Sequence, residues 1–442
     1  MATRCKSVDL RIVARSRFLL ALGEWAVLGC LVSALLLAAD PADSEWGLAE
    51  VSLVKYAPAV FATMGLFFWS IAVRGVPLKD GALICGALLG GWLTCAGLYT
   101  VNILGNSAAD SFLGRGLCLS SLPVGFLLAF LRKQRARIAN RVAPVFFVVC
   151  CAMFAGVVLW RAGYRFVSLP HIYHEQAVYF VPMAALGLQR RRFSRRVGHV
   201  IAWSLAAAFT VKITGFVFAA IALAGLFALE FMRAARRDVR LVARRRIALV
   251  VSLFSGLLLC VVAGLVYREF LPTGTPGVRL QTYSERLRMF ASAPAFGASF
   301  VGSPITQVRW TELPSHSDLL DVFAFGGIAG GILFTFPLMA AICFGIGNFP
   351  RYVGRTDGTA LAAVLYCAAF AFELCFNPVL HQPKLSVPFW MALGFLLGER
   401  RLIFEGERKG PRLRSRDAAV IHAGKSSGVR VLDRPCDRLV PK

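Results

Sequence analysis

Apolar runs of about 18 or more residues recur from one end of this chain to the other, each long enough to cross a hydrocarbon core of roughly 30 Å. With 57% hydrophobic residues against 17% charged ones, the sequence is not that of a soluble globule. In lipid the backbone must satisfy its own hydrogen bonds, so helices are the expected form. The predicted fold is all-α, a polytopic membrane protein of about twelve transmembrane helices.

In chain order, residues 1–17 are basic and run into a first span at about Phe18–Ala39, too long for a cleaved signal peptide and read as a retained helix. An acidic loop with Asp40, Asp43, Glu45 and Glu50 follows. Span two covers about Ala57–Val73, span three Gly81–Leu104 and span four Leu117–Leu131. Residues 132–141 read as a strongly basic loop before span five at Ala143–Leu159. Span six, Ala177–Leu188, is short and ends in a second basic stretch. The region His199–Phe231 is too long for one span and is interrupted by Lys212 and Gly215, so it reads as two spans meeting at a turn. Span nine, about Ile247–Val266, opens into the longest loop, from Tyr267 to about residue 318. Spans ten, eleven and twelve begin near Leu319, Thr359 and Val387. One transmembrane domain, residues 18–398, is therefore expected between a short N-terminus and a polar, basic tail at 399–442 that reads as flexible.

A net charge of +25 raises nucleic acid as a partner, but the distribution argues against it. The basic residues form short clusters between apolar runs, the pattern of the positive-inside rule. That pattern puts both termini in the cytoplasm, makes the 267–318 loop periplasmic, and makes membrane lipids, anionic ones above all, the natural partner of the clusters. Most of the twelve cysteines sit inside apolar runs, and no CxxC pair occurs. Neither a disulfide framework nor a zinc site is indicated. His171 and His174, without acidic or thiol company, do not make a metal site.

The long loop concentrates unusual chemistry. Arg286, Arg288, Arg309 and His316 lie within it, and Asp318 and Asp321 follow where the chain returns to apolar sequence. Arginine offers planar, permanent donors suited to phosphate, and histidine titrates near neutrality. Ionisable residues inside spans are expensive and usually face a cavity or a partner. Under the predicted topology Lys212, Asp321 and Glu373 all fall near the outer face, which suggests one outward-opening site. Asp321 can equally be a helix N-terminal charge that complements the dipole. Glu230 reads as a helix-end residue near Arg233, and Glu24 has no evident role. The glycines between Phe325 and Gly331 read as small residues that let helices pack closely.

These residues resemble the bacterial O-antigen ligase and O-antigen polymerase superfamily. The resemblance is carried by Arg286–Phe290, by Pro294-Ala295-Phe296-Gly297 and Gly302, and by His316 opening a glycine-containing span. Arg286 and Gly297 also match an arginine–glycine spacing of the polymerases' outer loop. Lys212-Ile213-Thr214-Gly215 is similar to a turn where relatives carry Ser-Arg or Ser-Lys, although Val211 replaces the serine. The last span, Pro383 to Gly394 with Phe389-Trp390, is also similar. The likeness covers about residues 199–400; before that only the topology corresponds.

The resemblance implies glycosyl transfer at the periplasmic face of the bacterial inner membrane. It implies an undecaprenyl-pyrophosphate-linked glycan as donor and another lipid-linked glycan, or lipid A-core, as acceptor. For a polymerase it further implies a chain-length regulator as partner. Arg286 and Lys212 would hold the departing pyrophosphate, with Arg288, Arg309, Asp318, Asp321 and Glu373 contributing to substrate binding. His316 would take the acceptor's proton. No DxD motif is present, so a metal-independent, cofactor-free transferase is expected. A transporter or flippase of an anionic lipid or sugar would also use outer-side cations, but it would commonly show internal repeats and midplane charges, and neither is evident here.

Overall fold

The computed structural model describes residues 13–14, 17–39, 52–74, 80–104, 116–163, 173–189, 192–210, 213–235, 275–297, 317–353, 358–377, 379–380 and 382–426. These are almost wholly helical. The exception is a two-residue antiparallel pairing of Val13–Ala14 with Val73–Arg74. Five helices are long and apolar enough to cross a membrane, and four shorter apolar helices accompany them. The chain is a helical membrane protein. Predicted span nine lies outside the described residues.

The long helices begin with α1 (Arg17–Ala39), α2 (Ala57–Ala72) and α3 (Gly81–Leu104). Next come α4 (Ser121–Phe130), α5 (Arg132–Arg161), α6 (Phe180–Gly187), α7 (Phe193–Ala208) and α8 (Ile213–Ala235). The last four are α9 (Thr275–Ser292), α10 (Asp318–Gly347), α11 (Thr359–Phe376) and α12 (Pro383–Ser426). Residues 11–400 form one compact unit; residues 1–10 and 401–442 group as another. In the second unit the described residues continue as helix to Ser426, where the sequence predicts a flexible tail. Arg401 donates there to Glu405 at 2.7 Å, an (i, i+4) pair that supports a helix.

Two predicted loops are helical. The basic residues 132–141 form the first turns of α5, not a connection. Arginine, lysine and glutamine are good helix formers, and several of these side chains find carboxylates on other helices. Glu24 of α1 receives Arg137 and Arg141, each at 3.1 Å, which gives that buried carboxylate its reason. Arg135 reaches Glu399 of α12 at 3.0 Å. The long loop between residues 267 and 318 likewise contains α9.

Inside the unit, close approach comes from small residues. Gly125 of α4 faces the Met391 carbonyl of α12, and Gly394 of α12 faces that of Leu122, so a Cβ at either site would overlap backbone. Ser121 donates to the Val387 carbonyl at 2.9 Å across the same contact. Next to it, Phe370 of α11 stacks on Phe389 at 4.1 Å, and Trp390 packs against Phe334 of α10. A lipid-embedded bundle has little hydrophobic drive for helix association, so such backbone contacts and interhelical hydrogen bonds carry more of the cohesion. Glu230, read from sequence as a helix-end residue, pairs with Arg196 of α7 at 2.7 Å, both side chains 2% exposed; the Arg233 side chain lies outside the described residues. Burial forces this partner: a carboxylate so deep requires a cation that is equally deep.

Candidate functional site

The site is built on the junction of α9, the turn that follows it, and the start of α10. Thr282, Arg286, Met289 and Ala293 are buried, while Leu287, Arg288, Ala291 and Ser292 are exposed. That spacing gives α9 one face turned towards the protein. Met289 packs in one cluster with Ala324 and Phe325 of α10. Arg286 and Arg288, two residues apart, therefore part company. The Arg288 side chain is 75% exposed, 3.8 Å from Glu285. The Arg286 side chain is 4% exposed and donates its Nε–H to Asp321 Oδ1 at 2.8 Å.

Arg286 is held from several sides. Its Nη1 lies 3.6 Å from Met289 Sδ, and its guanidinium sits 5.2 Å from the centre of the Phe325 ring. A desolvated cation over an aromatic face gains about 2 kcal/mol. Asp321 is itself 2% exposed. It lies in the first turn of α10, where a carboxylate also complements the helix dipole. Asp321 thus both pairs with Arg286 and stands at a helix N-terminus. Beside it is a cavity of about 30 Å³ with Trp92, Phe325 and Trp390 among its walls, a space for water rather than for a saccharide.

A clasp fixes α9 against α10. Gly327 breaks α10 with φ 61°, and Gly297 ends the Pro294–Gly297 turn with φ 81°. The break leaves backbone N–H groups of the second half-helix without intrahelical acceptors. The turn supplies them: Ile328 donates to the Pro294 carbonyl at 2.8 Å and Ala329 to that of Ala295 at 3.1 Å. A Cβ at Gly327 would stand 2.5 Å from Gly297 N and 2.6 Å from Phe296 N. The glycine run, read from sequence as helix-packing residues, thus includes one whose backbone conformation breaks the helix. Phe296 closes the turn by stacking on Trp92 at 6.0 Å. Gly327→Val is expected to lose most folded protein on size exclusion in detergent. Gly330→Ala, which has ordinary space around it, should stay near wild type. Equal yields from both variants would remove the clasp as a structural requirement.

The start of α10 is pinned on its other side by the α11–α12 connection. Ser317 caps α10 by accepting from Leu320 N at 3.3 Å and donates to the Leu374 carbonyl at 3.3 Å. Asp318, fully buried, accepts from Val379 N at 2.5 Å and Leu380 N at 2.6 Å. Glu373, in the last turn of α11, accepts from Asn377 Nδ2. Of the predicted site residues, the structure brings Arg286 and Asp321 into contact and places Asp318 and Glu373 at the neighbouring α10–α11–α12 junction. Arg288 is turned outward. His316, Arg309 and Lys212 lie outside the described residues. Phe325 and Met289 were not singled out from sequence; their signal was helical spacing, four residues from Asp321 and three from Arg286.

Chemically, this is a permanent cation held against a carboxylate and an aromatic ring of a neighbouring, broken helix. No protein-family model matches the chain, and no curated protein matches it.

Proposed function

We propose that this membrane protein is a glycosyltransferase of the O-antigen ligase or polymerase type. It moves a glycan from undecaprenyl pyrophosphate to a glycan or lipid A-core acceptor at the periplasmic face of the bacterial inner membrane. The observation that carries the reading is the buried Arg286–Asp321 pair, whose aspartate lies in the first turn of the helix that follows His316 in sequence. A catalytic arginine for a pyrophosphate needs a fixed orientation, and a buried ion pair with an aromatic platform supplies one.

In this mechanism His316 accepts the proton of the acceptor hydroxyl. The hydroxyl oxygen attacks the anomeric carbon, and the bond from that carbon to the pyrophosphate oxygen breaks. The electron pair leaves with undecaprenyl pyrophosphate, whose negative charge Arg286 and Lys212 stabilise. A guanidinium is well suited to two phosphate oxygens. The ammonium of Lys212 contributes a point charge.

The test is transfer by purified protein in detergent with lipid-linked donor and acceptor, in the presence of EDTA. Product is expected at an unchanged rate, because cationic side chains do the work that a divalent ion would do. Absence of product with every lipid-linked donor, alongside substrate movement across vesicles, would replace the transferase by a transporter. Loss on chelation restored by Mg²⁺ would show that carboxylates such as Asp318 and Asp321 serve a metal.

A further inference from the structure

A second cavity lies away from this site. It measures about 260 Å³ and is walled by α1, α4, α5, α6, α11 and α12, many times the roughly 10–15 Å³ that one water requires. Its walls are apolar, with Leu31, Val142, Phe146, Pro182, Met391 and Phe395 among them, and its charged member is Arg135. Along α5 the lining residues Arg135, Ile138, Ala139, Val142 and Phe146 recur at helical spacing, so they share one face. Arg132, exposed, continues that face one turn beyond Arg135. The cavity is therefore long-chain chemistry along its length and cationic at one end.

That end carries a surplus of positive charge. Arg132, Lys133, Arg135, Arg137 and Arg141 crowd the first turns of α5; among the described residues the carboxylates that meet this cluster are Glu24 and Glu399. Arg135 keeps its place through Glu399, at 3.0 Å, and the Phe395 ring, 5.2 Å from its guanidinium carbon. We infer that this cavity binds one anionic glycerophospholipid, an acyl chain lying along α5 and the headgroup phosphate held by Arg132 and Arg135. An apolar void of this size opening among lipid-facing helices is filled more favourably by an alkyl chain than by water. A neutral headgroup would leave the cation surplus uncompensated, and basic pockets between membrane helices suit anionic lipid. The site is independent of the transfer chemistry, so its test reads lipid, not product.

Purified full-length protein is exposed to equal amounts of dioleoyl phosphatidylglycerol and dioleoyl phosphatidylcholine, and the retained lipid is counted by native mass spectrometry. One phosphatidylglycerol per protein is expected, with roughly tenfold or greater preference over phosphatidylcholine. Arg132→Gln, a change on an exposed residue, should lower that retention about fivefold. Ala139→Phe should lower it with every charge intact. For the unmodified protein, phosphatidylglycerol carrying a photoreactive acyl chain should label Val142 or Phe146 rather than the outward-facing Phe147 and Val148. Equal retention of both lipids would overturn the proposal. So would labelling confined to Phe147 and Val148, or undecaprenyl phosphate displacing phosphatidylglycerol from the site.

Discussion

Replacing His316 by alanine is expected to lower glycan transfer by about 10²–10⁴-fold, the usual worth of a positioned general base, while donor binding stays within a few-fold of wild type. The separation follows from the division of labour: the pyrophosphate is held by Arg286 and Lys212, whereas the imidazole meets only the acceptor. His316→Gln keeps a hydrogen-bonding side chain but cannot take up a proton as imidazole does, so it should fail as well. The sign of the pH dependence is set by the same role. A base must be neutral to act, so the wild-type rate should fall as the solution is acidified and the imidazole becomes charged. Initial rates with lipid-linked donor, together with donor retention on immobilised protein, make the measurement. Transfer by both variants at the wild-type rate would make His316 an anchor of the loop and move the search for a base to Asp318 or Glu373.

A large effect on the folded protein is expected from separating Arg286 and Asp321. Both side chains are almost wholly buried and 2.8 Å apart. Asp321→Leu leaves the guanidinium without that carboxylate, and removing one partner of a buried pair costs about 3–5 kcal/mol. Thermal unfolding in detergent should therefore occur at a clearly lower temperature. The double variant Arg286→Met, Asp321→Leu replaces the pair by apolar groups of similar bulk and should recover most of the lost stability. It should still transfer nothing, because the donor's pyrophosphate then lacks its fixed arginine. This combination separates structure from chemistry: a stable double variant with wild-type transfer would leave Arg286 a packing residue. Arg286→Lys should fall between the two, since an ammonium keeps the charge but not the fork.

Much of the helical framework was legible in the chain. Runs such as Phe18–Ala39, Gly81–Leu104 and Thr359–Phe376 announce themselves by length and hydropathy, and the corresponding helices have nearly the same bounds. The reason is physical: in lipid a long apolar segment has one economical backbone solution, and it needs no knowledge of its neighbours. Where polar residues enter a helix, that local rule gives out. Residues 132–141 look like a loop because they are charged, yet they extend α5 because Glu24 and Glu399, more than a hundred residues away in either direction, supply counter-charges.

The site divides in the same way. Its chemical vocabulary of arginine, aspartate and histidine around residues 286–321 was visible in the order of the chain. Which arginine is buried was not, because that depends on the face α9 turns to α10, and Arg286 and Arg288 are indistinguishable until the helix exists. The break at Gly327 was equally hidden: a glycine run reads as close packing, and only the arrival of Pro294 and Ala295 carbonyls makes an interrupted helix affordable. By itself the sequence determined that this is a helical membrane protein and where charge departs from that rule. The tertiary structure alone decided which charges meet, because pairing is a property of distance across the fold, and burial then makes each pairing obligatory.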